Sequence, residues 1–133
     1  MDLNFRLIHA RDFIRTTPEG ELDLNMSKEI LLKLAVENAE PNQYDILIDA
    51  RHATADLSLA EITELVGVMI EHRNVFQSKL AILARPGPEF DHAKFMEVYA
   101  NNRSFRVGAF KSFEETINWL MTSSELPSEG GTS

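Results

Sequence analysis

The chain has 133 residues, 44% of them hydrophobic and 26% charged, the size and balance of a single globular domain. It contains no cysteine, which excludes disulfides, thiolate metal sites and cysteine nucleophiles. A formal net charge of −8 argues against nonspecific binding to nucleic acid or anionic lipid, and no apolar run approaches a membrane span.

The opening segment, MDLNFRLIHARDF, lacks a basic stretch followed by an apolar one. It is not expected to be a signal peptide, and a cytoplasmic location is the default expectation. Asn4–Ala10 and Asp12–Thr17 read as two antiparallel strands joined by a tight connection, with Phe5, Leu7 and Phe13 alternating with Arg6 and Arg15. Thr16-Thr17-Pro18-Glu19-Gly20 is turn chemistry and stops the second strand. An amphipathic helix is expected from about Met26 to Glu37, with Asn25 as N-cap and Ile30, Leu31, Leu34 and Ala35 on its inner face. After Glu40-Pro41-Asn42, the dense apolar run Tyr44–Asp49 reads as a strand buried on both faces.

A second helix is expected from Leu59 to Phe76, its face formed by Ile62, Leu65, Val66, Met69 and Ile70. Ser58-Leu59-Ala60-Glu61 has the spacing of a capping box at its start. Lys79–Ala84 reads as the next strand. Arg85-Pro86-Gly87-Pro88 reads as a loop, because two prolines suit neither a helix interior nor a central strand. A third helix follows from Asp91 to about Asn102, then a strand over Phe105–Phe110. A last helix runs from Ser112 to about Met121, with Phe113, Ile117 and Leu120 facing inward. Residues 1–122 are expected to form one domain. Residues 123–133, rich in Ser, Glu and Gly, are expected to form a mobile tail.

Helical crossovers leave successive strands running the same way. The expected fold class is therefore α/β: a mixed five-stranded sheet, mostly parallel, with four helices. Ile48, Ile82 and Val107, each inside an apolar strand run, are expected to be fully buried.

Four stretches in this order resemble the SpoIIAA-like, or STAS-like, family: TTPEGELDL at Thr16–Leu24, YDILIDAR at Tyr44–Arg51, LSLAEI at Leu57–Ile62 and FRVGAFKSFEETINWL at Phe105–Leu120. These are small bacterial domains related in fold to anti-sigma-factor antagonists. The resemblance implies a non-enzymatic module that works through protein contacts. The family's antagonists carry an Asp-Ser-Ser-Gly-type turn before the second long helix, whose second Ser is phosphorylated by a partner kinase. Placed on this chain, that turn is Asp56-Leu57-Ser58-Leu59. Asp56 and Ser58 match the pattern, and Leu57 and Leu59 depart from it. The resemblance thus marks Asp56 and Ser58 as a phosphoacceptor turn, whereas the capping box alone already accounts for Ser58.

Three cations, Arg51, Arg85 and Lys111, follow predicted strands at one sheet edge, with His52 beside the first. In open α/β sheets ligands bind outside the carboxyl ends of the strands, so these residues form a candidate anion rim. The alternative is surface ion pairing of Arg51 and Arg85 with Asp49, Asp56 or Glu89. His52 with Asp49 and Asp56 lacks the second histidine of a metal site, and no Gly-x-Ser-x-Gly elbow supports Ser-His-Asp chemistry. The proline-containing loop lacks the amides of a phosphate cradle. No cofactor is called for.

Phe90, Phe95, Met96 and Tyr99 give the third helix apolar residues on more than one side, and Trp119 adds a ring on the last helix. They are a candidate interface or pocket. If Ala93, Met96 and Ala100 face inward, Phe95 and Tyr99 face outward and suit a homodimer. The leading expectation is a regulatory module with a protein partner or a second copy. The alternative is a carrier of a small apolar ligand or lipid in a crevice by the second and third helices. An enzyme acting near Arg51, His52 and Arg85 stands third.

Overall fold

Apolar strand runs alternating with amphipathic helices build a layered α/β structure. The computed structural model describes residues 7–9, 13–38 and 44–122. The parts of the expected first strand outside Leu7–His9, the Glu40-Pro41-Asn42 connection and the expected tail at 123–133 lie outside the described residues. The strands are β1 (Leu7–His9), β2 (Phe13–Thr16), β3 (Gly20–Leu22), β4 (Asp45–Asp49), β5 (Ala53–Ala55), β6 (Lys79–Leu83) and β7 (Arg106–Phe110). The helices are α1 (Leu24–Glu37), α2 (Leu59–Glu71), α3 (Pro88–Asn101) and α4 (Phe113–Met121).

The main sheet has five strands in the order β1-β2-β4-β6-β7. β1 and β2 are antiparallel and every other neighbouring pair is parallel, as the crossover argument requires. β3 and β5 form a separate two-stranded parallel sheet that the sequence pattern did not reveal. Each has three residues, too few to show a period.

Strand alternation divides the core. Ile14, Ile46, Leu80 and Val107 face α1, α2 and α3, with Leu34, Val66, Met69 and Met96 among their buried neighbours. Leu47, Ala81 and Leu83 point the other way, towards Leu120 of α4. Gly108 lies on that second face, where a Cβ would come within 2.8 Å of the Phe110 ring and 3.3 Å of Trp119. The two rings pack with centroids 5.4 Å apart.

Several boundaries differ from the sequence expectation. α1 starts at Leu24 and not Met26, because Asp23 is its N-cap and accepts a bond from the Met26 N–H at 2.8 Å. Asn25 lies inside the helix. α2 stops at Glu71, and a 3-10 turn over Arg73–Val75 brings Phe76 into the core. Ile70 is exposed, since Met69 takes the inward position. α3 begins at Pro88, three residues before Asp91: proline lacks an N–H that the first helical turn leaves unused. Gly87, at φ +106°, supplies the sharp entry. Ser112 is the N-cap of α4 and not its first residue. Val107 is buried as expected, but Ile48 and Ile82 are only half-buried, because both line a cavity between the sheet and the helices.

Candidate functional site

Two arrangements meet at the carboxyl edge of the sheet. The first is ionic. Asp49 ends β4 on the α4 face and is 1% exposed. Its carboxylate accepts bonds from Arg51 Nε at 2.9 Å, Arg51 Nη2 at 2.8 Å and Arg15 Nη2 at 2.8 Å. Burial pushes its pKa up, but the hydrogen bonds from Arg51 and Arg15 outweigh that and hold the carboxyl at about 2. The same bond to Asp49 raises the pKa of Arg51. Phe113 lies beneath both guanidinium groups, at 5.3 Å from Arg15 and 5.4 Å from Arg51. That contact explains why Phe113 is 38% exposed rather than turned into the core as its helical spacing suggested.

The expected anion rim is occupied from within. Arg51 is clamped on Asp49, Arg85 lies 3.9 Å from Glu89, and Lys111 sits over the Phe90 ring at 4.9 Å. His52 is exposed, and its carbonyl accepts the Gly20 N–H at 3.2 Å, where β3 meets β5. Each cation has its own partner, and the geometry gathers them round no common point.

The turn before α2 is exposed at Asp56 and Ser58. Ser58 Oγ accepts the Glu61 N–H at 3.1 Å, and the Ser58 N–H donates to Glu61 Oε1 at 2.9 Å, which closes the capping box. Leu59, the first helical residue, is 55% exposed.

The second arrangement is an apolar cavity of about 120 Å³ on the other face of the sheet. Its floor is Ile48, Ala50, Ile82 and Ala84 at the ends of β4 and β6, and its walls come from α1, α2, α3 and the small β3–β5 sheet. Alanines at Ala50, Ala53, Ala55, Ala84 and Ala93 leave the space that larger side chains would fill, and Ile48 and Ile82 stay half-buried because they face it. Glu89 and His92 are the charged or titratable residues among its lining. His92 Nδ1 is buried without a hydrogen-bond partner.

Of the expected interface or pocket residues, Met96 lines this cavity and is buried. Phe95 and Tyr99 stack on each other at 5.9 Å and pack half-buried against the main core, so they do not form the outward-turned patch that was expected. Ala93, Met96 and Ala100 do face inward. Phe90 carries Lys111, and Trp119 covers Phe110 and lies 5.3 Å from Lys79 Nζ. Sequence reasoning missed His92 and Arg15. The repeated alanines beside strand ends were the available signal for the cavity, whereas nothing local announces that Arg15 reaches Asp49 across 34 residues.

Among solved structures, the chain is similar to an uncharacterized protein of the DUF3478 family with a SpoIIAA-like fold from Shewanella loihica PV-4. The TM-score is 0.59 at 15% identity, over 89% of this chain and 93% of that one. It is also similar to an anti-sigma factor antagonist from Mycobacterium paratuberculosis, with TM-score 0.60 and 10% identity over 91% and 96% of the two chains. A third is the anti-sigma factor antagonist SpoIIAA in its unphosphorylated form, with TM-score 0.54 and 18% identity over 90% and 99%. No family model and no curated protein matches the sequence. The chain has the SpoIIAA-like fold.

Proposed function

We propose that this chain is a non-enzymatic regulatory module that acts through protein contacts, with the turn Asp56–Leu59 as its contact element. The observation that carries the reading is the exposure of that turn: Ser58 and a 55% exposed Leu59 stand at the head of α2, in a fold shared with anti-sigma factor antagonists. The reading assigns the module to the cytoplasm, and among the described residues no helix is long and apolar enough to cross a membrane. A phosphate on Ser58 would meet the free amides and dipole of a helix N-terminus. It would also add roughly two negative charges between Asp56 and Glu61, a change large enough to alter docking of a partner.

The test is partner capture from the source cells with the wild type, Ser58→Asp and Leu59→Asp. Loss of a partner with Leu59→Asp and a changed set with Ser58→Asp support the reading; identical sets for all three reject it. Self-association is the homotypic form of the same reading, and sedimentation at tens of micromolar reads it directly.

A second reading, a carrier of a small apolar ligand, rests on the cavity between the helices and the sheet. Its volume of about 120 Å³ decides the class of ligand. Sites for drug-sized molecules run from about 300 Å³ upwards. An engineered apolar cavity of about 150 Å³ takes benzene. The cavity therefore suits a single small ring or short chain and not a lipid.

A further inference from the structure

We propose that the outer face of α1 and α2 is the interface of a symmetric dimer, with a second copy of this chain as its occupant and the two-fold axis at Gly67. The proposal does not depend on the Asp56–Leu59 turn. It starts from a residue that the fold itself does not call for. Gly67 lies in the middle of α2, and a Cβ built on it meets no atom within 4 Å among the described residues. Glycine in a helix interior is destabilising relative to alanine, and the packing of the chain gives no return for it. What glycine permits is the close approach of another backbone from outside. Gly67 and Val68 share a shallow groove with Leu32 of α1. Leu32 is 42% exposed, and Val36, one turn further along α1, is 75% exposed.

The charges along the groove name the occupant. Lys28 and Glu64 stand at one end, 3.3 Å apart, and Glu71 stands at the other. α1 and α2 pack on the same face of the sheet and each joins parallel strands, so they run in the same direction. Their amino ends add positive character on the side of Lys28, and their carboxyl ends add negative character on the side of Glu71. Such a face is complementary to itself when turned round. Glu64 and Glu71 are two helical turns apart, about 10 Å, and Gly67 and Val68 lie midway between them. A two-fold axis at that level sets Lys28 of each copy against Glu71 of the other. It also brings the two α2 helices closest at their glycines and covers Leu32 twice. A uniformly basic partner would meet Lys28 with like charge. The net charge of −8 on each copy is screened beyond about 8 Å at physiological salt, so the close pairs set the register.

Sedimentation equilibrium of the full chain tests this, with melting temperatures to show that each variant folds. Two helices about 20 Å long and about 10 Å apart give an interface at the small end of the stable range. The dissociation constant should therefore lie between about 10 and 500 μM. Gly67→Ala should raise the melting temperature while weakening the dimer, and Gly67→Gln should weaken it by about tenfold or more. Lys28→Glu and Glu71→Lys should each weaken self-association by about tenfold, because both pairs across the axis become repulsive. An equimolar mixture of those two variants should recover the affinity of the wild type, since each pair across the axis again joins opposite charges. A wild type still monomeric at about 1 mM leaves the face to a different partner and overturns the proposal. So does a dimer indifferent to Gly67→Gln, or a mixture that associates no better than its components. A dimer broken by Leu59→Asp and untouched by Gly67→Gln also overturns it, while assigning self-association to the turn and leaving the proposed function intact.

Discussion

Asp49 is a buried carboxylate that stays charged because two arginines reach it. Arg51 comes from the turn that follows β4 and Arg15 from the neighbouring strand, so the cluster ties β2 to β4 at the edge where the loops begin. Its pKa of about 2 in the folded chain lies below the ordinary value of 3.8. A depressed carboxyl contributes stability that is present above the unfolded value and is lost as pH falls through the folded one. The shift corresponds to about 2 kcal/mol. Denaturant unfolding followed from neutral pH down to about pH 2 should show this loss, and Asp49→Asn should remove most of it while lowering stability at neutral pH by about 2 kcal/mol. An unchanged acid profile in that variant would mean that other carboxylates dominate. Gly87 is a second single-residue constraint. Its φ of +106° is poorly open to other residues, so Gly87→Ala should cost about 1–3 kcal/mol by thermal unfolding.

Helix ends and strand edges hold each element in place through side chains. The capping box of α2 uses both directions between Ser58 and Glu61. Ser58→Ala should cost about 1 kcal/mol and Ser58→Asp almost nothing, since aspartate caps as well as serine. This separates a stability effect from any effect on partners, because Ser58→Asp changes charge without losing the cap. At the free edge of β7, the backbone groups that point away from β6 are met by α3. Asn101 bonds both the N–H of Val107, at 2.8 Å, and its carbonyl, at 3.1 Å, and Glu97 accepts the Ala109 N–H at 2.8 Å. An edge so occupied offers no template for another strand. Asn101→Ala should cost about 1–3 kcal/mol and speed amide exchange at Val107. Lys79 plays a similar part for α4. Its ammonium donates to the Trp119 and Thr122 carbonyls at 2.8 and 2.9 Å, meeting the negative end of that helix. Burial lowers its pKa, opposed by the charge of Asp45.

At the scale of the molecule, the two faces of the sheet do different work. The α4 face is closed by Leu47, Leu83 and Leu120, whereas the opposite face combines a packed core with a cavity at one end. Neighbouring isoleucines of one strand report the difference. Ile46 is 1% exposed and closely surrounded, so Ile46→Ala should cost about 2–5 kcal/mol. Ile48 faces the cavity, so Ile48→Ala loses fewer contacts and should cost less than half as much when both are measured by denaturant unfolding. Equal losses would show that the cavity closes in solution.

The order of the elements, the parallel direction of β4, β6 and β7, and the cap at Ser58 were legible in the residues alone. These follow from local chemistry: apolar runs, helical spacing and a four-residue capping pattern all act within one or two turns of chain. The β3–β5 sheet, the grip of Arg15 on Asp49, the outward seat of Phe113 and the space in front of Ile48 were decided by the tertiary structure. Each depends on segments brought together from far apart, as when Gly20–Leu22 pairs with Ala53–Ala55. A side chain's distant neighbours determine whether it is buried, paired or left facing a cavity, and those neighbours are set only once the crossovers have packed the helices on the sheet.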